Sequence, residues 1–470
     1  MKSVRVLSCL SMATGARSKS KPGIILRAAV VACAALFCSS NLAMAQAGKL
    51  DTTFGTGGVF TDSAGEFQNS GTFGNVVAIQ SDGKIVVAGQ IGFAAGALRL
   101  NANGTLDSTF GTSGMVAINF PGSLLGPSQV IGVAVQPDGK IVAAISNSNA
   151  DANPLFILGR LNPNGSLDTT FGSADTVETQ IGSFGVADSV FALQPDGKIL
   201  LAGGGAMARY DATGQLDDSF GTGGVVAILA EPSAMAVQLD SKILIGTGAS
   251  VPGNLATPPG LGFAFLSPAG AISRYNTNGS IDSSFRISGQ AASVAVPAAI
   301  AVQSDVVCVS TCKILVAGAT ATANGAGPGE GISLGFGLVR FASNGSIDTT
   351  FGRRGGVLTS FTPTERVAAA FALALEKNGD IIAAGTAGQA PAGATVTQAD
   401  FALSRYTASG AIDTSFGSGG KMTTAFGANE AGIYALALQS DGKIVAAGSS
   451  QQNPQGGQVG GLVVARYLPQ

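Results

Sequence analysis

Along this chain, short apolar runs come in pairs, each pair separated by a few polar residues. The pattern reads VVAIQSDGKIVVAG from Val76, VAVQPDGKIVAA from Val133, FALQPDGKILLAG from Phe191 and ALALQSDGKIVAAG from Ala435. MAVQLDSKILIG from Met235 and LALEKNGDIIAAG from Leu373 are weaker copies, and IAVQSDVVCVSTCKILVAG from Ile300 carries an insertion. Two apolar runs joined by Asp-Gly or its substitute predict a β-hairpin. Runs such as VVAI and IVVAG are almost continuously apolar, so both faces of these strands are expected to be covered.

Two further patterns keep step with the hairpins. LDTTFG at Leu50 returns at Leu106, Leu167, Leu216, Ile281, Ile347 and Ile412, at intervals of 49 to 66 residues. Its aspartates are Asp51, Asp107, Asp168, Asp217, Asp282, Asp348 and Asp413. A short strand ending in Arg occurs at Arg99, Arg160, Arg209, Arg274, Arg340, Arg405 and Arg466. From each of the first six, the next aspartate lies eight residues on, across a Gly turn such as NANG or NPNG. Self-similarity at such a period marks a repeat architecture. The order within a unit is hairpin, Arg strand, LDxTFG turn, then a fourth strand such as GMVAI from Gly114. Four strands per unit and seven units predict an all-β, seven-bladed β-propeller.

The phases at the two ends are complementary. The repeats open with LDTTFGTGGVF, an end without a beginning, and finish with VVARYLPQ, a beginning without an end. Joined in space, a strand near Val59 would become the outer strand beside Arg466 and close the last blade, removing a free sheet edge. An open solenoid is the competing arrangement, and it gives no reason for matched phases.

Composition agrees with this reading. Of 470 residues, 46% are hydrophobic and only 11% charged, with 68 glycines. That suits many short strands and tight turns rather than a disordered chain. The first 45 residues read as an export signal. Six bases, from Lys2 to Arg27, precede an apolar core at Ala28 to Cys38, and cleavage is expected after Ala45 in Ala43-Met44-Ala45. That core is too short to span a bilayer, although a membrane anchor is the competing reading. The expected domains are thus residues 1–45, cleaved, and 46–470, a single propeller in the periplasm or outside the cell. Without its signal the chain keeps 20 of its 26 bases against 28 acids, a net charge of −8. No basic stripe is left for nucleic acid, and no later apolar run is long enough to span a membrane. Cys308 and Cys312 are the two cysteines beyond the signal, and an even pair in an exported chain suggests a disulfide.

LDxTFG, DGKIVVAG and RYxxxG, recurring near 60 residues, resemble the delta-60 repeats of secreted bacterial β-propeller proteins. The resemblance runs from Leu50 to Tyr467 and implies an exported propeller, without a shared enzymatic activity to carry over. Three departures stand out. Asp240-Ser241-Lys242 lacks the turn glycine, Arg286 replaces the Gly after Phe, and the cysteine insertion follows Gln303.

The candidate chemistry is sparse. NxNGxxD has some likeness to a calcium loop, but such a loop needs an acid where these units place Arg. The repeated Asp is read instead as a turn cap that pairs with its Arg. Lys84, Lys140, Lys198, Lys242, Lys313 and Lys443 follow the hairpin turns as solvated charges. With no His there is no His-based triad, and with no Trp a common stacking residue is missing. A carboxylate pair of the glycosidase type is the remaining catalytic reading. Glu66, Glu178, Asp188, Glu231, Glu365 and Glu430 all precede a blade's first strand and are its candidates. No catalytic residue, metal or cofactor is assigned. From the hairpin Lys (or Asp380) to the Arg there are 15, 20, 11, 32, 27, 25 and 23 residues, whereas the Arg-to-Asp turn never varies. Variation on one side of a rigid scaffold is the signature of binding loops. The expectation is a monomeric, non-catalytic module for a protein or glycan ligand. A polysaccharide hydrolase or lyase, or a purely structural envelope protein, is the alternative.

Overall fold

The computed structural model describes residues 47–62, 68–69, 76–91, 94–118, 129–148, 154–172, 176–180, 189–228, 230–247, 272–288, 297–303, 312–323, 332–361, 367–389, 398–426, 430–451 and 460–469. It is an all-β, seven-bladed propeller. Seven inner strands, Val76–Ile79, Gln129–Val135, Val190–Leu193, Pro232–Val237, Pro297–Gln303, Val367–Leu375 and Glu430–Leu438, begin blades 1 to 7. Within each blade the chain runs outward through antiparallel neighbours. Blade 1, for example, continues with Ile85–Ile91, Ala94–Leu100 and Met115–Ala117.

The continuous apolar runs have a simple cause. On the second strand of blade 1, Ile85 and Val87 join a cluster with Val445, Ala447, Leu462 and Val464 of blade 7. Val86 and Ala88, on its other face, join Ile141, Ala143 and Ile145 of blade 2. Each second strand is sandwiched between neighbouring blades, so alternation has no solvated face to report. Burying each such side chain contributes on the order of 1.5–3 kcal/mol.

Blade 7 is assembled from two segments far apart in the sequence. Val59–Thr61 pairs antiparallel with Gly460–Tyr467, placing Val59, Phe60 and Thr61 opposite Ala465, Val464 and Val463. The turn that follows the Arg strand is also split. In blade 1 it is continuous, with Gly104 N–H bonding Asn101 O at 2.8 Å and Asn101 N–H bonding Thr105 O at 2.8 Å. In blade 7 the same two bonds run between the two segments, from Gly48 N–H to Leu468 O and from Leu468 N–H to Lys49 O, both at 2.9 Å.

Blade 4 shows three strands among the described residues, Pro232–Val237, Ile243–Thr247 and Ile272–Tyr275. In the other blades the Gly after Phe takes a positive φ, as Gly55 does at 51° and Gly352 at 52°. Arg286 stands there in blade 4 without a positive φ, and the tight turn is not made. Ser288 pairs instead with Ser346 of blade 5, and Ile347 N–H bonds Ser288 O at 3.0 Å.

Candidate functional site

The repeated charged residues form one network per blade, on the side of the ring that carries the hairpin and LDxTFG turns. In blade 1 the Arg99 Nε–H donates to Asp107 Oδ2 at 2.7 Å, and the Lys84 ammonium donates to the same oxygen at 2.8 Å. Asp107 Oδ1 accepts from the Thr109 amide at 3.1 Å and its hydroxyl at 2.7 Å. The Arg99 guanidinium lies over the Phe110 ring, 4.7 Å from its centroid. It also reaches the carbonyl of Pro163 in the turn of blade 2. Beside it, Gly111 N–H bonds Asn164 O of that same turn at 2.8 Å.

The same pair of links joins every blade to the next. Arg209 reaches Thr277 O and Gly221 N–H reaches Asn278 O; Arg340 reaches Ala408 O and Gly352 N–H reaches Ser409 O. From blade 7, Arg466 reaches Ala102 O and Gly55 N–H reaches Asn103 O in blade 1. The turn glycine is part of the fit. A Cβ on Gly104, whose φ is +82°, would lie 2.6 Å from Gly55 N and 2.7 Å from the Phe54 ring.

These contacts set the aspartate protonation. Burial alone would push the Asp51 carboxyl up, but the Thr53 hydroxyl and amide, the Lys443 ammonium and the Arg466 charge outweigh it and lower it to about 2. Asp348 is lowered to about 2 by the equivalent groups, Thr350, Lys313 and Arg340, again against burial. Asp107, Asp168, Asp217 and Asp282 are held lower still, and Asp413 is lowered too. Carboxylates held ionised by three or four donors are poor proton donors or acceptors near neutrality. The hairpin lysines are therefore bridged to the aspartates rather than being merely solvated charges. That is a correction, and its cause is folding distance: Lys84 and Asp107 are 23 positions apart, a separation at which no local rule pairs them.

Blade 6 breaks the pattern. Where other blades have Gln and Lys, it has Glu376 and Asp380. Asp413 is bridged by Arg405 at 2.7 Å, and Asp380 caps Ala408 N–H at 3.1 Å instead of bridging Asp413. The signal was present in LEKNGD against VQPDGK, yet it had looked like a degenerate copy.

Of the six candidate carboxylates, Glu178, Glu231 and Glu430 lie among the described residues. Glu178 is exposed on the outermost strand of blade 2, Thr176–Gln180, opposite Ile157. Its strand is the outer edge of its sheet, which places Glu178 at the rim instead of at the start of an inner strand. Glu231 immediately precedes the inner strand of blade 4 and Glu430 begins that of blade 7. Glu66, Asp188 and Glu365 lie outside the described residues, as does Cys308. Cys312 is buried. Among the described residues no group of three or more Cys, Asp and Glu is arranged to hold a metal ion, and no helix is long and apolar enough to cross a membrane.

The opposite side of the ring is uneven. The second strand is five residues long in blades 3 and 4 (Ile199–Gly203 and Ile243–Thr247), but eleven in blade 5 (Lys313–Ala323) and nine in blade 6 (Ile381–Gln389). Blade 3 turns back through Gly204 and Gly205, with φ of 60° and 82°. In blade 5, ten residue pairs join the second and third strands, twice the five of blade 3. An aromatic pair also escaped the sequence reading. Phe371 and Tyr434 each sit at a β-bulge of adjacent inner strands, with ring centroids 5.8 Å apart. The bulge positions of blades 2, 4 and 5 hold Ile131, Ser233 and Ala298.

Seven segments, residues 80–110, 136–171, 194–220, 265–285, 313–351, 376–416 and 439–470, match the family described as a domain of unknown function (DUF5122) β-propeller. Over these segments the chain is similar to that β-propeller family. No curated protein matches its sequence significantly. Among solved structures it is similar to YCF48 bound to D1 peptide, at 10% identity and a TM-score of 0.42, covering 90% of this chain and 97% of that one. It is also similar to a GH93 α-L-arabinofuranosidase of Fusarium graminearum (9%, 0.36, 85% and 98%). A third is the PQQ-bound aldose sugar dehydrogenase from Streptomyces coelicolor (10%, 0.38, 87% and 98%). At these values the likeness carries no argument about activity.

Proposed function

We propose that this chain is an exported binding module of the kind its delta-60 resemblance suggests, presenting a protein- or glycan-binding surface on the uneven side of the ring. The observation that carries the reading is the contrast between the two sides. On the turn side, each repeated Asp pairs with its own blade's Arg, and the Arg with the next blade's turn, in seven networks that share this core and of which six add a bridging Lys. On the other side, the second and third strands change length from blade to blade. A scaffold fixed on one side and varied on the other is how rigid folds present binding loops.

The test is a glycan and protein array, run beside turnover assays on polysaccharides. Wild type is compared with a variant in which residues 253–268 become a short Gly-Ser linker, and with Glu430→Gln. Array signal lost in the linker variant, with no turnover in any sample, supports the reading. Turnover by wild type that disappears in Glu430→Gln would establish the hydrolase or lyase reading instead.

A further inference from the structure

The junction between blades 6 and 7 differs from the other six in its charge and in the turn it uses, which two separate chain segments build. Around Asp107 in blade 1 stand Arg99, Lys84 and the neutral Gln80, one net positive charge. Around Asp413 in blade 6 stand Arg405, Glu376 and Asp380, two net negative. Across this same junction, the turn that receives the contacts of blade 6 is built from separate chain segments. Arg405 reaches Pro469 O, and Gly417 N–H bonds Ala47 O at 2.9 Å.

The glutamine of the other blades has two tasks. In blade 2, Gln136 Oε1 accepts from Arg160 at 3.2 Å while its amide N–H donates to Ala212 O of blade 3 at 3.1 Å. Gln303 and Gln439 likewise donate across to Gly379 O and Gly83 O. An ionised carboxylate can accept and cannot donate. At Glu376, Oε2 is buried without a hydrogen-bond partner. A protonated carboxyl has the shape of the Gln amide and regains one donor.

The groups facing Glu376 favour that proton. Burial raises its pKa, Arg405 on the third strand opposes the rise, and Asp380 on the hairpin turn and Asp413 on the LDxTFG turn add to it. Lys377 is directed away, to Ser440 O of blade 7 at 3.0 Å. On the blade 7 turn, Lys443 is taken up by Asp51 and Asp441.

We propose that protonation of Glu376 fastens blade 6 to blade 7, making this junction a proton-sensitive latch onto the blade 7 turn that two separate chain segments build. The sign is opposite to that of the LDxTFG aspartates. A carboxyl raised on folding binds more protons in the native state, so stability falls as pH rises from the ordinary carboxylate range through the raised value.

The experiment restores the residues of the other blades with Glu376→Gln plus Asp380→Lys, and installs the acidic set elsewhere with Gln136→Glu plus Lys140→Asp. Thermal midpoints are followed from pH 4.5 to 8. Exchange of the Gly417 and Gly48 amides, corrected for intrinsic rates, reports the junction itself. Wild type is expected to lose protection at both amides as pH rises, by roughly tenfold for each unit by which the carboxyl is raised. The restored variant should keep that protection and have the higher midpoint at pH 8, and the blade 2 variant should acquire the pH dependence. Glu376→Gln alone gives the same reading where the double variant does not fold. Equal pH dependence in wild type and Glu376→Gln would overturn the latch. So would a midpoint at pH 8 that calcium chloride raises in wild type and not in the variant, because a cation would then be neutralising the cluster.

Discussion

Arg466 donates through Nε to Asp51 Oδ2 at 3.0 Å, repeating the contact of Arg99 with Asp107, although 415 residues separate the first pair and eight the second. The two contacts therefore isolate what the network contributes from what sequence proximity contributes. Asp107→Asn leaves Arg99 and Lys84 buried or half-buried without an anion. The expected cost is about 3 kcal/mol, as for removing one partner of a buried ion pair. Urea unfolding measures it, and a loss below about 0.5 kcal/mol would show that the network does not hold the blade.

Acid stability follows from the same aspartates. A carboxyl lowered on folding, as Asp51 and Asp348 are to about 2, stabilises fully above its ordinary value near 4. That contribution is lost as pH falls towards 2. Lys443→Met removes one donor from Asp51 and should move the acid limb of the stability curve to higher pH. Urea midpoints between pH 2 and 5 test this, and an unmoved limb would assign Asp51 no part in acid unfolding.

Ser241 takes φ +61° at the turn position where Gly83, Gly139 and Gly442 have φ of 83°, 84° and 86°. A left-handed conformation costs a residue with a Cβ about 1–2 kcal/mol, and part of that is returned by the stiffer unfolded chain. Ser241→Gly is expected to stabilise by about 0.5–1 kcal/mol. A destabilised variant in the same urea titration would show that Ser241 contributes through its side chain.

Cys308 and Cys312 flank three residues in an insertion where other blades keep a short turn. The sequence expectation of a disulfide stands as a proposal. Mass spectrometry of the protein, alkylated without reductant, should find the pair unalkylated. The closed loop is short, so its loss should cost less than the roughly 3 kcal/mol expected for a loop of about 15 residues. Two alkylated thiols would refute the bridge.

Much of the fold was legible because each repeat carries its own turn chemistry. Asp-Gly, NxNG and LDxTFG each fix a local conformation, and seven copies in register leave little choice of architecture. The Arg and Asp positions were legible for the same reason, at a constant spacing of eight. Their partners were not. The stacking of Arg99 on Phe110 and its reach to Pro163 depend on how blades pack, and Lys84 meets Asp107 only after two strands have folded back. Glu376 and Asp380 were overlooked because a weak match to a repeat reads as drift until its burial is known. The uneven side was legible only as variable length, since its composition names no ligand.

The central claim is that seven blades form one ring, with the first residues of the repeat region supplying the outer strand of the last blade and closing it. Deleting Lys49 to Thr61 removes Asp51, Phe54 and Val59–Thr61 together, and with them the contacts of Arg466. Thermal unfolding followed by light scattering tests the claim most directly. A lower midpoint with aggregation from the exposed edge of Gly460–Tyr467 is expected. An unchanged midpoint in a soluble monomer would contradict it.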